Sequence, residues 1–423
     1  MSLATTLMDA APKPVSAQTT PPIATTRDPR LDFFRGIAMF IILFAHTPGN
    51  WFTRWIPARW GFSDATETFV FCSGMASAIA FGRAFHQKGW ALGTARVAYR
   101  VWQVYWAHIG LFIAIASTMV VLNGIFPDGP RNYVGQLNLF PFFNDPQPQL
   151  VGLLTLTYVP NYFDILPMYL VILAMMPFVI ALSRISIPLT GAVLFAIWLF
   201  AQSRILEGLN AENMAINFPA EPWSEREWFF NPFGWQLVFF TGFAFMSGWI
   251  PAPPVKIWLI ALAAVIVLAI IPLSNIGIRE FGFGVTEEGP NWARTWRIEN
   301  RIWITKTDFG ILRYVHFLAT AYLAWVLVGP KGRWIMPPAG TGPVARSWRM
   351  VLAAISTVGQ QSLAIFITSM FLARLLGVAF DQLGRTHFTM AAVNGAGIAL
   401  IIATAYGVAW FKSQPWRNKK KAA

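Results

Sequence analysis

The sequence predicts an all-α, polytopic integral membrane protein with about ten transmembrane helices. Two observations indicate this fold class. Of the 423 residues, 56% are hydrophobic and only 12% are charged, whereas soluble domains carry roughly 25% charged residues. The apolar residues also gather in stretches of about 20, the length of α-helix that spans the hydrocarbon core. An ordinary soluble enzyme is therefore not expected, and Cys72, the only cysteine, excludes a disulfide-stabilised secreted domain.

The chain divides into a tail, a membrane domain and a second tail. Residues 1–26 are rich in Ala, Thr and Pro and lack a signal-peptide pattern, so we expect a flexible cytoplasmic tail there. Residues 412–423 predict a basic cytoplasmic tail. Residues 27–411 form the predicted membrane domain. Its second helix carries two carboxylates, so a re-entrant segment is the alternative to a full crossing there. The ten predicted helices lie near residues 31–47, 62–85, 98–123, 163–183, 189–206, 232–250, 256–274, 309–329, 351–377 and 388–411.

The distribution of lysine and arginine predicts that both termini are cytoplasmic. With the N-terminus inside, the cytoplasmic tails and loops hold 19 of the 32 basic residues but only three of the 19 acidic residues. This asymmetry is the positive-inside pattern of membrane proteins, and it explains the net charge of +13 without a nucleic-acid partner. The long loops, near residues 48–61, 124–162, 207–231 and 275–308, then face outward.

Arg35 and His46 lie eleven residues apart on the first predicted helix. Eleven residues make about three turns and a rise of roughly 16 Å, so both side chains fall on one face, separated by about half of the hydrocarbon core. Ionisable residues inside a membrane are functional candidates. The pair could mark the two ends of one cavity, with His46 as a base. The alternative is a topogenic arginine and an interfacial histidine.

Asp64 and Glu67 are the candidates for assisting His46. Their i, i+3 spacing places both carboxylates on one face at the start of the second helix, at a depth similar to His46 if the first two helices pack antiparallel. A carboxylate on one imidazole nitrogen fixes the tautomer and makes the other nitrogen a stronger base. We therefore predict that His46, Asp64 and Glu67 are catalytic. Helix capping is the alternative for the two carboxylates.

A basic cluster lies between the second and third predicted helices. Its guanidinium groups could bind the phosphates of a nucleotide-bearing donor from the cytosol, and the alternative is that they only anchor the loop inside. Arg100 is the strongest candidate because it opens the third helix, and Arg35 and Arg96 complete the predicted donor site. The cluster consists of Arg83, Lys88, Arg96 and Arg100.

The predicted outer face carries the acceptor candidates. Asp164 opens the fourth helix and could either cap it or bind an acceptor hydroxyl. Trp51 belongs to a set of outer-loop aromatic residues, and the charge-balanced loop 294–308 adds more. Aromatic faces and paired charges suit a sugar, whereas an interfacial aromatic belt is the alternative. No metal-binding pattern is present, nor a Walker loop or a serine-hydrolase motif, so no metal site is predicted.

Several blocks of the sequence resemble the OpgC family, over nearly all of residues 27–411. The most specific blocks are RLDFFRG at 30–36, HTPGNW at 46–51 and GFSDATETFVFCSG at 61–74. The resemblance continues in FDILPMY at 163–169, NPFGWQL at 231–237 and KTDFGILRYVHF at 306–317. The spacing of Arg35 and His46 is also similar to that of the wider acyltransferase-3 superfamily.

This resemblance implies a multi-pass enzyme of the bacterial inner membrane that succinylates osmoregulated periplasmic glucans. Its donor would be cytosolic succinyl-CoA, used as a co-substrate, with no permanently bound cofactor and an active site open to the periplasm. By the superfamily pattern, Arg35 and His46 would be the functional pair. We expect the CoA phosphates to bind among Arg35, Arg96 and Arg100, while His46 takes the proton from a glucan hydroxyl that attacks the thioester.

A succinyl donor brings a second carboxylate, which needs a cation or a hydrogen-bond donor. Arg313, Arg374 and His316 are the intramembrane candidates. The alternatives are ion pairs of the arginines with Asp308 or Asp381, and a hydrogen bond from His316 between helices.

Two rival functions remain open at this stage, and so does the oligomeric state, a homo-oligomer included. An O-acetyltransferase of another envelope polysaccharide would share the fold and His46. A non-enzymatic glycan or lipid transporter would move its substrate without changing it covalently, and no internal repeat of the kind common in transporters is visible.

Overall fold

The computed structural model describes residues 28–127, 129–283, 291–337 and 340–417. The predicted tail 1–26 and residues 418–423 of the second predicted tail lie outside these ranges. Within them the chain is helical, and the β-type pairing is limited to one isolated bridge between Pro219 and Glu227. The predicted all-α class is confirmed.

Eleven helices of 13 or more residues build the described structure. They are α1 Pro29–His46, α2 Ala65–Ser77, α3 Arg83–Ile125, α4 Ile165–Ile185, α5 Ile187–Phe200, α6 Pro232–Met246, α7 Ile257–Ile270, α8 Ile311–Val328, α9 Pro343–Gln360, α10 Ser362–Leu383 and α11 His387–Ser413. Shorter helical segments occupy much of the predicted loops: Trp51–Trp55, Pro57–Trp60, Ala78–Gly82, Gly135–Leu137, Phe140–Asn144, Pro146–Thr155, Ser203–Gly208, Glu212–Met214, Ile271–Leu273, Asn275–Arg279, Trp292–Glu299, Arg301–Ile304 and Pro330–Gly332.

Six helical stretches of the described chain are long and apolar enough to cross a membrane. They are Ala65–Ile125, which joins α2 and α3, then α4, Ile257–Arg279, α8, α10 and α11. Helices α5 and α6 are apolar but shorter, and α1 carries three charged residues in its first two turns. The structure thus supports a membrane protein, while the count of ten crossings stays a prediction.

The structure corrects two predicted helix boundaries. The helices predicted at 62–85 and 98–123 form one nearly continuous run, which is interrupted by a π-helical turn and by Gly89 at φ +80°. Conversely, the single helix predicted at 351–377 is two helices that meet at Gln361, whose φ and ψ are −96° and 29°. The buried amide of Gln361 accepts a hydrogen bond of 2.6 Å from Lys412. The segment Gly359-Gln360-Gln361-Ser362 is locally polar, a signal of the break that the prediction of one helix did not use.

Glycines allow the closest helix crossings. A Cβ atom on Gly74 of α2 or on Gly242 of α6 would collide with a backbone carbonyl of the other helix. Helices α1 and α9 cross in the same way at Gly36 and Gly359. Small residues at such crossings let helices approach until their backbones touch. Helix α1 is therefore held firmly among α2, α9 and α10, and both of its ends face packed neighbours.

Candidate active site

Helix α1 connects two cavities. We call them the His46 cavity, of about 350 Å³, and the Arg35 cavity, of about 330 Å³. His46 and Ile42 line the first, and Arg35 lines the second. The structure therefore corrects the prediction that Arg35 and His46 mark the two ends of one cavity, because each residue lines a separate space.

The His46 ring is oriented by its own helix. Its Nδ1 lies 2.8 Å from the carbonyl oxygen of Ile42. A carbonyl oxygen can only accept a hydrogen bond, so Nδ1 carries the proton, and Nε2 keeps the lone pair of the neutral ring. The ring is partly exposed, as expected for a side chain that lines a cavity. His46 thus has the tautomer that a general base needs, with Nε2 as the basic atom.

Neither Asp64 nor Glu67 forms the hydrogen bond that orients His46, which corrects that part of the prediction. The two carboxylates instead form a capping box at the start of α2. Asp64 accepts from the backbone N–H of Thr66 at 2.6 Å, and Glu67 accepts from the backbone N–H of Asp64 at 2.8 Å. Helix capping, the alternative interpretation of these residues, therefore accounts for one oxygen of each carboxylate.

The second oxygen of each carboxylate binds a cation from the segment around α8. Lys306 Nζ lies 2.6 Å from Asp64, and Arg313 Nη1 lies 2.6 Å from the fully buried Glu67. Lys306, held by its ion pair with Asp64, lies in the wall of the His46 cavity. Lys306 was not predicted as a site residue, although it begins one of the blocks that resemble the OpgC family.

Tyr162 is a second cavity residue that the sequence did not reveal. Its ring stands edge-on to His46, with 5.5 Å between ring centroids, and its hydroxyl donates to the carbonyl of Met370 at 2.5 Å. The guanidinium carbon of Arg374 lies 3.9 Å from the centre of the same ring. Tyr162 has a φ of +90°. A strained backbone of this kind in a non-glycine residue is typical of functional sites, and nothing in a sequence signals it.

Asp164 lines the His46 cavity, as an acceptor-binding residue would. The structure shows no side-chain capping bond from it to α4. It accepts instead from the backbone N–H of Phe229 at 3.2 Å, and burial raises the pKa of its carboxyl to about 6. Phe229 and Phe230 also line the cavity. Asp164 therefore anchors the segment that forms one wall, and the acceptor contact itself stays a prediction.

The three predicted donor-binding residues lie together. Arg35, Arg96 and Arg100 all line the Arg35 cavity. Arg100 donates to Gln103 at 3.2 Å, and Arg35 donates to the hydroxyl of Ser362. The other two members of the basic cluster, Arg83 and Lys88, are not among the lining residues. The cavity wall is completed by Ser73, Ala76, Ser77, Ala80, Phe81, Tyr99, Gln103 and Tyr169.

The linings of the two cavities are close together along α4 and α2. On α4, Ile165 lines the His46 cavity, while Tyr169, one turn later, lines the Arg35 cavity. Phe69 of α2 stacks on Phe366, with ring centroids 5.6 Å apart and planes 13° apart. Phe366 itself lines the His46 cavity. On α2, Phe69 lies between Thr66, which lines the His46 cavity, and Ser73, which lines the Arg35 cavity.

Three predicted acceptor or acyl contacts lie outside the cavity lining. His316 is buried, and its Nδ1 accepts from the backbone N–H of Ser63 at 3.2 Å, with the Ser63 hydroxyl at 2.7 Å. Arg313 is bound to Glu67 rather than to Asp308 or Asp381, the partners considered from the sequence. Trp51 is 39% exposed and packs edge-on against His387. His316 thus holds the loop before α2, which agrees with its structural interpretation.

The other two acids considered from the sequence have different partners. Asp308 accepts from the side chain of Asn231 at 3.2 Å, and Asp381 is bound by Arg131 at 3.4 Å and by Arg385. Among the described residues, no group of three or more His, Cys, Asp or Glu side chains could hold a metal ion.

The structure thus combines helices long and apolar enough to cross a membrane with a cationic cavity at Arg35 and an imidazole at His46, both on α1. A family model described as OpgC protein matches residues 27–413, and the chain belongs to the OpgC family. No curated protein and no solved structure matches it. Membership of this family indicates an acyltransferase that acts on glucans.

Proposed function

We propose that this protein transfers a succinyl group from cytosolic succinyl-CoA to a hydroxyl of a periplasmic glucan, across the bacterial inner membrane. Family membership supports acyl transfer. One further observation carries the proposal: three guanidinium groups meet in one cavity, and a correctly protonated imidazole lies in the next. These are the two requirements of a reaction whose donor and acceptor come from opposite sides.

The Arg35 cavity is the proposed donor site. Arginine binds phosphate oxygens through two parallel hydrogen bonds, and CoA carries three phosphate groups. Arg35, Arg96 and Arg100 supply three positive charges, and none of the residues that line this cavity carries a carboxylate. The positive-inside pattern of the sequence assigns this end to the cytoplasm, where acyl-CoA is found.

The His46 cavity is the proposed site of chemistry. Nε2 of His46 removes the proton from a sugar hydroxyl, whose oxygen then attacks the thioester carbonyl. The new C–O bond forms, the C–S bond breaks, and the proton returns from Nε2 to the departing CoA thiolate. No oxidant or metal is required by this balance of atoms and electrons.

Lys306 is the proposed electrostatic partner of this reaction. Its ammonium group lies on the cavity wall, and its charge acts on the His46 ring. The 2.6 Å ion pair with Asp64 fixes its position before substrate arrives. A preorganised cation of this kind stabilises the oxyanion that forms on the thioester carbonyl.

The donor must also reach the base. The thioester lies at the end of the pantetheine arm, so the arm has to pass the stacked rings of Phe69 and Phe366. The two linings are one helical turn apart along α4, and we expect the arm to pass between them beside these two rings.

One experiment separates this proposal from its rivals. Purified protein in lipid nanodiscs is supplied with succinyl-CoA and glucan, while free CoA and the glucan mass are followed. We expect a gain of one succinyl group that is lost in His46→Ala and kept in His86→Ala, an exposed histidine that lines neither cavity. If the protein acylated glucan with acetyl-CoA but not with succinyl-CoA, the donor would be acetyl-CoA and the O-acetyltransferase would be favoured. Folded protein that changes no glucan with any donor would favour the transporter.

A further inference from the structure

Most of the cations around the His46 cavity are matched by acidic side chains. Three of them form ion pairs, at 2.6, 2.6 and 3.1 Å. These pairs are Lys306 with Asp64, Arg313 with Glu67, and Arg226 with Glu221. A substrate carboxylate that took one of these cations would leave its present partner without a counter-charge, at a cost of desolvation.

Arg374 is the exception. Within the described part of the chain, no carboxylate lies at ion-pair distance from its guanidinium group, which packs on the face of the Tyr162 ring. Its Nε atom is buried and has no hydrogen-bond partner there. A cation in a membrane-spanning helix is costly unless an anion balances it. The charge of Arg374 therefore calls for an anion from outside the chain.

Arg374 is placed next to the proposed reaction centre. Phe366, Met370 and Arg374 follow one another at four-residue intervals along one face of α10, and the first two line the His46 cavity. Tyr162 touches both His46 and Arg374, and the charge of Arg374 acts on the His46 ring. An acyl chain that enters this cavity can extend toward Arg374 along α10.

The length of a four-carbon diacid fits this arrangement. Three carbon–carbon bonds of about 1.5 Å place the distal carboxylate carbon about 4 Å from the reacting carbonyl carbon. Tyr162 contacts both groups: its ring centroid lies 5.5 Å from that of His46 and 3.9 Å from the guanidinium carbon of Arg374. A neutral acyl group would reach the same place without balancing the charge.

We propose that Arg374 binds the distal carboxylate of the transferred acyl group and thereby selects dicarboxylic over neutral acyl donors. This inference rests on the proposed function and replaces Arg313 and His316, because the charge of Arg313 is paired with Glu67 and Nδ1 of His316 is hydrogen-bonded to Ser63. Arg374 is a specificity residue and has no part in the proton transfer of His46.

The test compares two donors of equal length, succinyl-CoA and butyryl-CoA, on wild type, Arg374→Gln and Arg374→Lys. We expect Arg374→Gln to lower kcat/KM for succinyl-CoA by about 30- to 100-fold, the value of a charge-assisted hydrogen bond. The rate with butyryl-CoA should remain or rise, which also shows that the variant is folded. Arg374→Lys should keep part of the preference because it keeps the charge.

The matched variant is Arg313→Gln, which breaks an ion pair without touching the proposed carboxylate site. It should lower the rates with both donors by the same factor. The inference is overturned if Arg374→Gln also lowers both rates equally, or if only its KM for glucan changes, because the second result would place Arg374 on the acceptor side. Wild-type protein that turns over neither donor would refute the proposed function itself, and the inference with it.

Discussion

The two cavities differ in how their charges are arranged. The Arg35 cavity contains three guanidinium groups and no carboxylate among its lining residues. The His46 cavity is lined by one imidazole, one carboxyl group and one ammonium group, those of His46, Asp164 and Lys306. The ammonium group is ion-paired with Asp64. An excess of one charge suits the binding of a polyanion, whereas matched charges around a neutral base suit a proton transfer. The comparison predicts that mutations in the two cavities affect different kinetic constants.

The largest effect is expected at His46. The variant His46→Ala removes the general base, which contributes roughly 10²- to 10⁴-fold to such reactions, so kcat should fall by about that factor. The affinity for succinyl-CoA should not change, because the Arg35 cavity is intact. Steady-state kinetics and calorimetric titration of CoA measure the two quantities. A loss of CoA affinity in His46→Ala would contradict the division of labour between the cavities.

A nearly equal effect, on stability, is expected at Glu67. Glu67→Gln keeps an acceptor for the capping bond but leaves the cation of Arg313 without its buried partner. Breaking a buried pair from one side costs about 3–5 kcal/mol, so the variant should unfold well below the wild-type temperature in the same detergent. The control is Glu212→Gln, at an exposed position in a short helix, which should unfold like wild type. Equal midpoints for Glu67→Gln and wild type would show that the pair contributes no net stability.

The division between predictable and unpredictable features follows from distance along the chain. Arg35 and His46 could be paired from the sequence because the helical repeat alone fixes their common face. The partners of Asp64 and Glu67 could not, because Lys306 and Arg313 follow them by more than 200 residues. The sequence therefore suggested that the carboxylates orient His46, whereas a backbone carbonyl one turn away does so.

The backbone conformation of Tyr162 could not be predicted from the sequence for a different reason. The positive φ of Tyr162 depends on tertiary packing and has no residue signature. The break at Gln361, by contrast, falls in the polar segment Gly359-Gln360-Gln361-Ser362, which the prediction of one long helix did not use, and Lys412 donates a hydrogen bond to the Gln361 side chain there. The packing of Arg374 on the face of the Tyr162 ring likewise joins residues that are far apart in the sequence.

The pH dependence of stability tests the burial of Asp164. Its pKa in the fold, about 6, lies above the ordinary 3.8, so the folded state holds the proton more tightly than the unfolded state. The contribution of the protonated Asp164 carboxyl to the free energy of unfolding is therefore fully present below about pH 4 and is lost as the pH rises through 6. By linkage the loss amounts to about 3 kcal/mol at most.

The variant Asp164→Asn isolates this contribution. Its stability should change less than that of wild type between pH 4 and 7, as measured by unfolding in mixed micelles at a series of pH values. Asp308→Asn provides a matched comparison, since burial also raises the pKa of Asp308 to about 6 outside the His46 cavity. If the stability of wild type and of Asp164→Asn changed with pH in parallel, the raised pKa of Asp164 would be contradicted.

The smallest effect is expected at Arg100, and it tests the other cavity. Arg100→Gln removes one of three cations, so the KM for succinyl-CoA should rise about tenfold, equivalent to about 1.4 kcal/mol, while kcat stays near the wild-type value. Arg83→Gln, in the same basic cluster but outside the lining, should leave both constants unchanged. The rise should shrink when desphospho-CoA thioesters replace the donor, since fewer phosphate charges then depend on the cavity. If Arg100→Gln lowered kcat and kept KM, the Arg35 cavity would take part in the chemistry, and binding and proton transfer would no longer be separated between the two ends of α1.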